Sequence, residues 1–254
     1  MVKKVLYILI WTITAAGLVA LFVFSRKNYL NTPVKAINLV AEADTGFVRK
    51  TVLRDELQKI CGKSKIGTVN MLAVQKLMND NPWVKSSNAY IDLEGTLNVS
   101  YKEYVPWFRV FGKDGRSVYI THDSIVVPSS RNYTPYVLVA SGNFELWNDS
   151  VSYKLNDTLD RDRNLLNAIC WCNAIDGNSF VSQSIGQLYC NNRNEFELTV
   201  KGFDGRVILG DTHDVADKLK RLGIFMKQRI DNPETQTFKS INFSYKNQIV
   251  CTKR

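Results

Sequence analysis

The chain has 254 residues, 45% of them hydrophobic and 22% charged, with 33 Lys and Arg against 24 Asp and Glu and five cysteines. This composition excludes a disordered or disulfide-dense chain and leaves room for one large domain or two small ones beside a targeting segment. The formal charge of +9 does not point to nucleic acid: Lys3, Lys4, Arg26 and Lys27 supply four of those charges, and the surplus beyond them is spread thinly, without a run of five like charges.

Between the two basic pairs, Val5 opens and Phe24 closes twenty residues without a charge. A helix of that length reaches roughly 30 Å, the thickness of a bilayer's hydrocarbon core. A cleaved signal peptide is the alternative, but its apolar region runs about 7–15 residues and ends in a small-x-small site. Here Phe22-Val-Phe-Ser-Arg26 follows instead. The reading is therefore an uncleaved membrane anchor over 5–24, behind a four-residue tail. The basic pairs balance across the span, so charge leaves its orientation open.

A short polar linker over 25–33 is expected next. Residues 35–41 read as a strand. Apolar residues at helical spacing give a helix over 49–61 and a second, short one from Met71 to Met78. Residues 83–93 and 96–104 read as two strands joined at Glu94-Gly95, with Leu97, Val99 and Tyr101 alternating. The order is β-α-α-β-β over residues 34–106.

From residue 107 to 254 the chain is richer in strands. Short apolar runs at 107–111, 118–121, 125–127 and 135–140 are separated by turn residues. A helix is expected over 159–175, then strands over 180–190 and 196–200 flanking a polar Asn191–Asn194 turn, and another over 206–209. A second helix spans 214–230, with Val215, Leu219, Leu222, Phe225, Met226 and Ile230 facing inward. Ile241, Phe243, Tyr245, Ile249 and Cys251 share one parity, interrupted at Asn247, which predicts one long or kinked strand over 238–251 at the end of a sheet.

Catalytic chemistry is not evident. His122 and His213 are the only histidines, without cysteines or a second His at metal-ligand spacing. There is no G-x-S-x-G and no phosphate-binding G-x-x-x-x-G-K-[ST]. The five cysteines show no framework spacing and read as buried small hydrophobes. Cys170 and Cys172, two apart on a helix, diverge too far to bridge. No enzyme, cofactor, metal or small-molecule substrate is expected.

Several motifs together resemble the bacterial cell-division family FtsQ, also called DivIB, over nearly the whole chain. Leu77 with Asn81-Pro-Trp-Val84 looks like that family's "L…pWV", and Leu97-Asn-Val-Ser-Tyr-Lys-Glu103 with Pro106 is similar to "L-x-I-x-V-x-E-x-x-P". Val118-Tyr-Ile120 with Pro128, Tyr136-Val-Leu-Val-Ala-Ser-Gly142, Phe196-Glu-Leu-Thr-Val200 with Val207-Ile-Leu-Gly210, and Ile241-Asn-Phe-Ser-Tyr245 resemble its later strands. Asn242 and Ser244 depart from the Asp and Arg of the closing "iDLRY" motif, and Ser124 stands where the family has a turn glycine.

The resemblance implies an α+β protein: a single N-terminal transmembrane helix, a POTRA-like β-α-α-β-β module, then a β-rich domain with two helices and a terminal edge strand. It implies a cytoplasmic N-terminus, extracytoplasmic domains, and a non-enzymatic scaffold at the division septum. That scaffold would join small bitopic division proteins of the B and L type and help regulate septal peptidoglycan synthesis. Phe243, Tyr245, Lys246, Asn247 and Ile249 match the partner-binding end, where a partner could add a strand. The competing reading makes Phe243, Tyr245 and Ile249 core-facing residues of an ordinary strand. A rival class, a POTRA-containing envelope-assembly component that chaperones exported polypeptides, would carry repeated modules or a membrane barrel, and the sequence shows one such module and no array of membrane strands.

Overall fold

The computed structural model describes residues 2–43, 45–156, 158–229 and 232–254. They form two compact units, one ending at Glu103 and the other beginning at Tyr104. Mixed α+β architecture holds throughout, behind one apolar N-terminal helix.

That helix, α1, runs Val2–Asn31. It takes in most of the expected polar linker, ending only at Asn31, because no residue before Pro33 breaks it and its last turn finds partners. Tyr29 packs on the first unit's core, and its hydroxyl lies 3.0 Å from the Asp92 carbonyl. Within the span, Thr12 and Thr14 return their hydroxyl protons to backbone carbonyls at 2.9 to 3.1 Å, so neither presents an unsatisfied donor.

The first unit then follows the expected order: β1 (Ala36–Ala43), α2 (Lys50–Cys61), α3 (Met71–Asn79), β2 (Val84–Ile91) and β3 (Thr96–Glu103). β3 lies in the middle of the sheet, parallel to β1 and antiparallel to β2. Its alternation places Leu97, Val99 and Tyr101 in the core with Leu53 and Leu57 of α2 and Val74 and Met78 of α3. Glu103 continues the same parity and is fully buried. Its Oε2 accepts from the Thr45 hydroxyl and, at 3.1 Å, from the Phe47 amide, so a carboxylate at the end of the core row pins the β1–α2 connection.

The second unit is one ten-stranded sheet. Its strands are β4 (Phe108–Phe111), β5 (Ser117–Ile120), β6 (Ile125–Pro128), β7 (Leu138–Gly142), β8 (Tyr153–Lys154), β9 (Ile185–Cys190), β10 (Phe196–Val200), β11 (Arg206–Gly210), β12 (Phe238–Asn242) and β13 (Val250–Lys253). Across the sheet the order is β13-β12-β11-β10-β9-β7-β4-β5-β6-β8. Its helices are α4 (Arg163–Asp176), α5 (Ser179–Ser184), α6 (Val215–Arg229) and α7 (Pro233–Gln236). Trp171 and Cys172 of α4, Val181 of α5 and Leu219, Leu222 and Met226 of α6 join strand residues in one buried core. At β7, Gly142 has φ 116°, and a Cβ there would fall 2.0 Å from the Cys190 carbonyl oxygen; only glycine fits. Ser124, in the turn between β5 and β6, also takes a left-handed φ of 58°.

Four expectations change. The stretch 180–190 is not one strand: Asn178 caps a helical turn by accepting from the Val181 amide at 3.2 Å, and β9 starts only at Ile185. The helix expected from 159 begins as a 3-10 turn over Asp160–Asp162, whose Asp162 accepts from the Asn156 amide at 2.9 Å. Of the cysteines, Cys61, Cys172 and Cys190 are buried, but Cys170 is exposed, because two residues apart on α4 it lies about 200° round the helix from Cys172, and Cys251 on the last strand is half-buried. The stretch 238–251 is two antiparallel strands, described below. Ile230, expected to face inward, lies outside the described residues.

The start of α6 is fixed by charge. Lys218 is buried, and its ammonium donates to the Asp211 carbonyl (2.8 Å) and Oδ1 (2.9 Å) and lies 5.8 Å over the Trp171 ring. Its hydrogen bond, aided by one from His213, holds the Asp211 carboxyl down at about 2.

Two outcomes follow. Replacing Glu103 by Ala removes the buried acceptor shared by the Thr45 hydroxyl and the Phe47 amide and should cost roughly 1–3 kcal/mol in denaturant unfolding. Because the Asp211 pKa is depressed on folding, its contribution is complete above the ordinary carboxylate range and fades as pH falls toward about 2. The melting difference between the parent and Asp211→Asn should therefore be full at pH 6 and vanish near the bottom of that window.

Candidate functional site

The sheet's β13 end is where the sequence placed the interaction residues. β12 runs parallel to β11 as far as Asn242, and the Phe243 amide extends that pairing by donating to the Ile208 carbonyl at 2.8 Å. The chain then leaves the sheet. The Asn242 side chain accepts from the Ser244 amide (2.8 Å) and hydroxyl (2.6 Å), closing a local turn. Asn247 adopts φ 58°, a left-handed conformation that Asn tolerates better than most residues. The chain returns as β13, paired antiparallel to β12 with Ile241 opposite Cys251 and Asn242 opposite Val250.

The single long strand expected from shared parity is thus a hairpin, and its interruption at Asn247 is where it turns. Among the described residues nothing pairs with the outer side of β13, which ends the sheet. Lys253 near its end is a common safeguard on such an edge.

The side chains divide sharply. Phe243 is fully buried and meets Phe225 of α6 edge-on, with centroids 6.0 Å apart. Ile249 packs partly against the same core. Tyr245 is 49% exposed, and Lys246 and Asn247 are exposed beside it. The five residues therefore sit on one connection between strands, but only three offer their side chains to solvent.

What fixes this connection is a residue that the sequence reading missed. Arg221 on α6 donates through Nη1 to the carbonyls of Tyr245 and Gln248, both at 3.0 Å, and through Nη2 to that of Phe243 at 3.1 Å. Its Nε donates to Asp217 Oδ2 at 2.8 Å. One planar guanidinium thus gathers three carbonyls of a chain segment more than twenty residues away and is itself oriented by a carboxylate one turn back. In the sequence Arg221 reads only as half of an i,i+4 ion pair with Asp217. Gly210, at φ 76°, allows Ser244 to approach, since a Cβ there would lie 2.8 Å from that of Ser244.

Beside the hairpin a groove of about 400 Å³ opens, with Ile224, Phe225 and Gln228 of α6, Phe238 of β12, Ile249 and Cys251 among its lining residues. Burial raises the Cys251 thiol above its ordinary value, which keeps it a neutral wall of the groove. The site therefore combines an open main-chain edge, an exposed aromatic and basic turn, and an adjoining half-apolar groove. Such a surface suits polypeptide recognition.

The rest of the molecule agrees with a membrane-bound role. Residues Leu6–Asn31 form a helix long and apolar enough to cross a bilayer, and its most apolar stretch is not buried within the protein. This suggests a single-pass membrane protein.

Comparison with known proteins is consistent with this placement. No curated protein matches the chain significantly. A family model described as "FtsQ/DivIB, C-terminal related" matches residues 105–252, more than half of the chain and nearly the whole second unit. The β-rich unit with its terminal hairpin is thus the part that carries the relationship, and the chain belongs to the FtsQ/DivIB family of cell-division proteins.

Proposed function

We propose that this protein is a non-enzymatic scaffold of the division machinery. In this reading its N-terminus is cytoplasmic, α1 spans the cell membrane, and both folded units lie outside the membrane at the septum. The first unit acts as a POTRA-like module. The second binds small bitopic division proteins of the B and L type and helps regulate septal peptidoglycan synthesis.

The observation that carries this reading is the unpaired outer edge of β13 beside a groove and an exposed Tyr245. A partner segment gains affinity by main-chain hydrogen bonds to such an edge, and pockets for its side chains supply specificity. Tyr245, Lys246 and Asn247 form the rim that a partner meets first. Ile249 belongs to the groove wall, and Phe243 supports the turn from beneath. Arg221 holds the edge in one conformation, which lowers the ordering cost of binding.

Three substitutions and two experiments in cells test the reading. Tyr245→Glu should abolish co-purification of the B- and L-type partners while leaving the thermal melt unchanged; retained binding would refute the assignment. Phe243→Ala should instead cost roughly 3–5 kcal/mol of stability, since it empties a buried aromatic site. Arg221→Lys, which keeps the charge but loses the planar fork, should speed amide exchange over residues 243–253 and weaken partner binding without unfolding the sheet. In cells, a fluorescent fusion should collect at midcell, and depletion should leave filaments with unfinished septa.

A further inference from the structure

The apolar run ends at Phe24, but α1 continues to Asn31. Tyr29 lies five residues beyond Phe24, about 7.5 Å along the axis at the α-helical rise. Headgroup layers extend roughly 5–7 Å beyond each side of the hydrocarbon core. Helical side chains lean toward the N-terminus, so the Tyr29 phenol reaches back toward the bilayer from its own Cα. That phenol oxygen sits 3.0 Å from the Asp92 carbonyl and 3.4 Å from that of Ile91, at the β2–β3 turn.

A second loop is fastened to the same stretch. The Ile66 amide donates to the Thr32 carbonyl at 2.9 Å, Pro33 bridges Lys65, and Gly67 lies so close to Leu30 that a Cβ there would sit 3.1 Å from the Leu30 Cβ. The helix therefore fixes two loop tips of the first unit at the height of the lipid headgroups.

Their chemistry suits that layer. Leu93, at the tip of the β2–β3 turn, is 91% exposed with no apolar cover. Arg26, Lys27, Lys63 and Lys65 are exposed at the same end. Of the nearby acids, Glu94 is exposed, whereas Asp92 is half-buried and its carboxylate is engaged locally, accepting from the amides of Glu94 (3.0 Å) and Thr96 (2.8 Å) and from the Asn98 side chain (3.0 Å). A shallow groove of about 420 Å³ on α1 passes from Phe22 and Val23 to Arg26, Lys27, Leu30 and Asn31, apolar at one end and basic at the other.

We propose that this end of the first unit is a membrane-docking surface. Leu93 enters the interfacial layer, and Arg26, Lys27, Lys63 and Lys65 meet the phosphates of anionic phospholipids. Apolar insertion and basic attraction act together at such surfaces, and anionic lipid draws cations only within a Debye length. The first unit is then held against the bilayer rather than swinging on a tether. This goes beyond the scaffold reading and does not depend on which side of the membrane the unit occupies or on what β13 binds.

The test uses the full chain in lipid nanodiscs with Cys170→Ser and Cys251→Ser, leaving the three buried cysteines in place. A nitroxide is attached at Leu93→Cys or, as a control on the same unit, at Leu72→Cys, where the native side chain is 80% exposed on α3. Collision with oxygen relative to a nickel chelate reports depth. The label at position 93 should favour oxygen and that at 72 the chelate. Adding phosphatidylglycerol to phosphatidylcholine should deepen position 93, and Lys63→Glu with Lys65→Glu should cancel that gain. Equal ratios at 93 and 72 would overturn the docking. A deep position 93 indifferent to both phosphatidylglycerol and the lysine changes would overturn the anionic recognition.

Discussion

One guanidinium decides how the chain ends. Arg221 binds three carbonyls of the β12–β13 connection and is aligned by Asp217 on its own helix. Without that fork, the exposed stretch from Ser244 to Gln248 would hold few bonds beyond the local Asn242 turn. With it, the chain reverses within a few residues, β13 pairs with β12, and the sheet acquires a defined last strand. Because α6 is itself seated by the Lys218–Asp211 pair, the position of the edge is tied through one helix to the buried Trp171. A surface built for main-chain pairing must be rigid in this way, since ordering it during binding would reduce affinity.

The first unit uses a related device. Its core row on β3 ends in Glu103 rather than another apolar residue, and the buried carboxylate accepts from a hydroxyl and an amide of the β1–α2 connection. In both units a charged side chain organises backbone that would otherwise lack regular pairing. The difference lies in exposure: Glu103 is sealed inside, whereas Arg221 holds a segment that faces solvent.

Two local turns are fixed by backbone conformation and short polar contacts. Ser124 occupies a turn position at φ 58°, the left-handed region that glycine adopts without strain. Asn242 and Ser244 bond to each other and close the turn after β12.

The sequence by itself determined the apolar α1, the β-α-α-β-β order of the first unit, the approximate positions of β4 to β7, β10 and β11, and the inward face of α6. In each, the information is periodic and local: a twenty-residue apolar run, alternation on β3, helical spacing at Leu219, Leu222 and Met226. Only the tertiary structure decided the rest. The same parity carried Ile241, Phe243, Tyr245 and Ile249 whether the segment was one strand or two, since parity does not report which residue a distant Arg221 will hold. The supposed linker became helix because Tyr29 found carbonyls more than sixty residues away, and residues 180–184 became helical because Asn178 capped them. Local pattern fixes which face of a segment is apolar; where that segment stops, turns or meets another is set by partners that are remote in the chain.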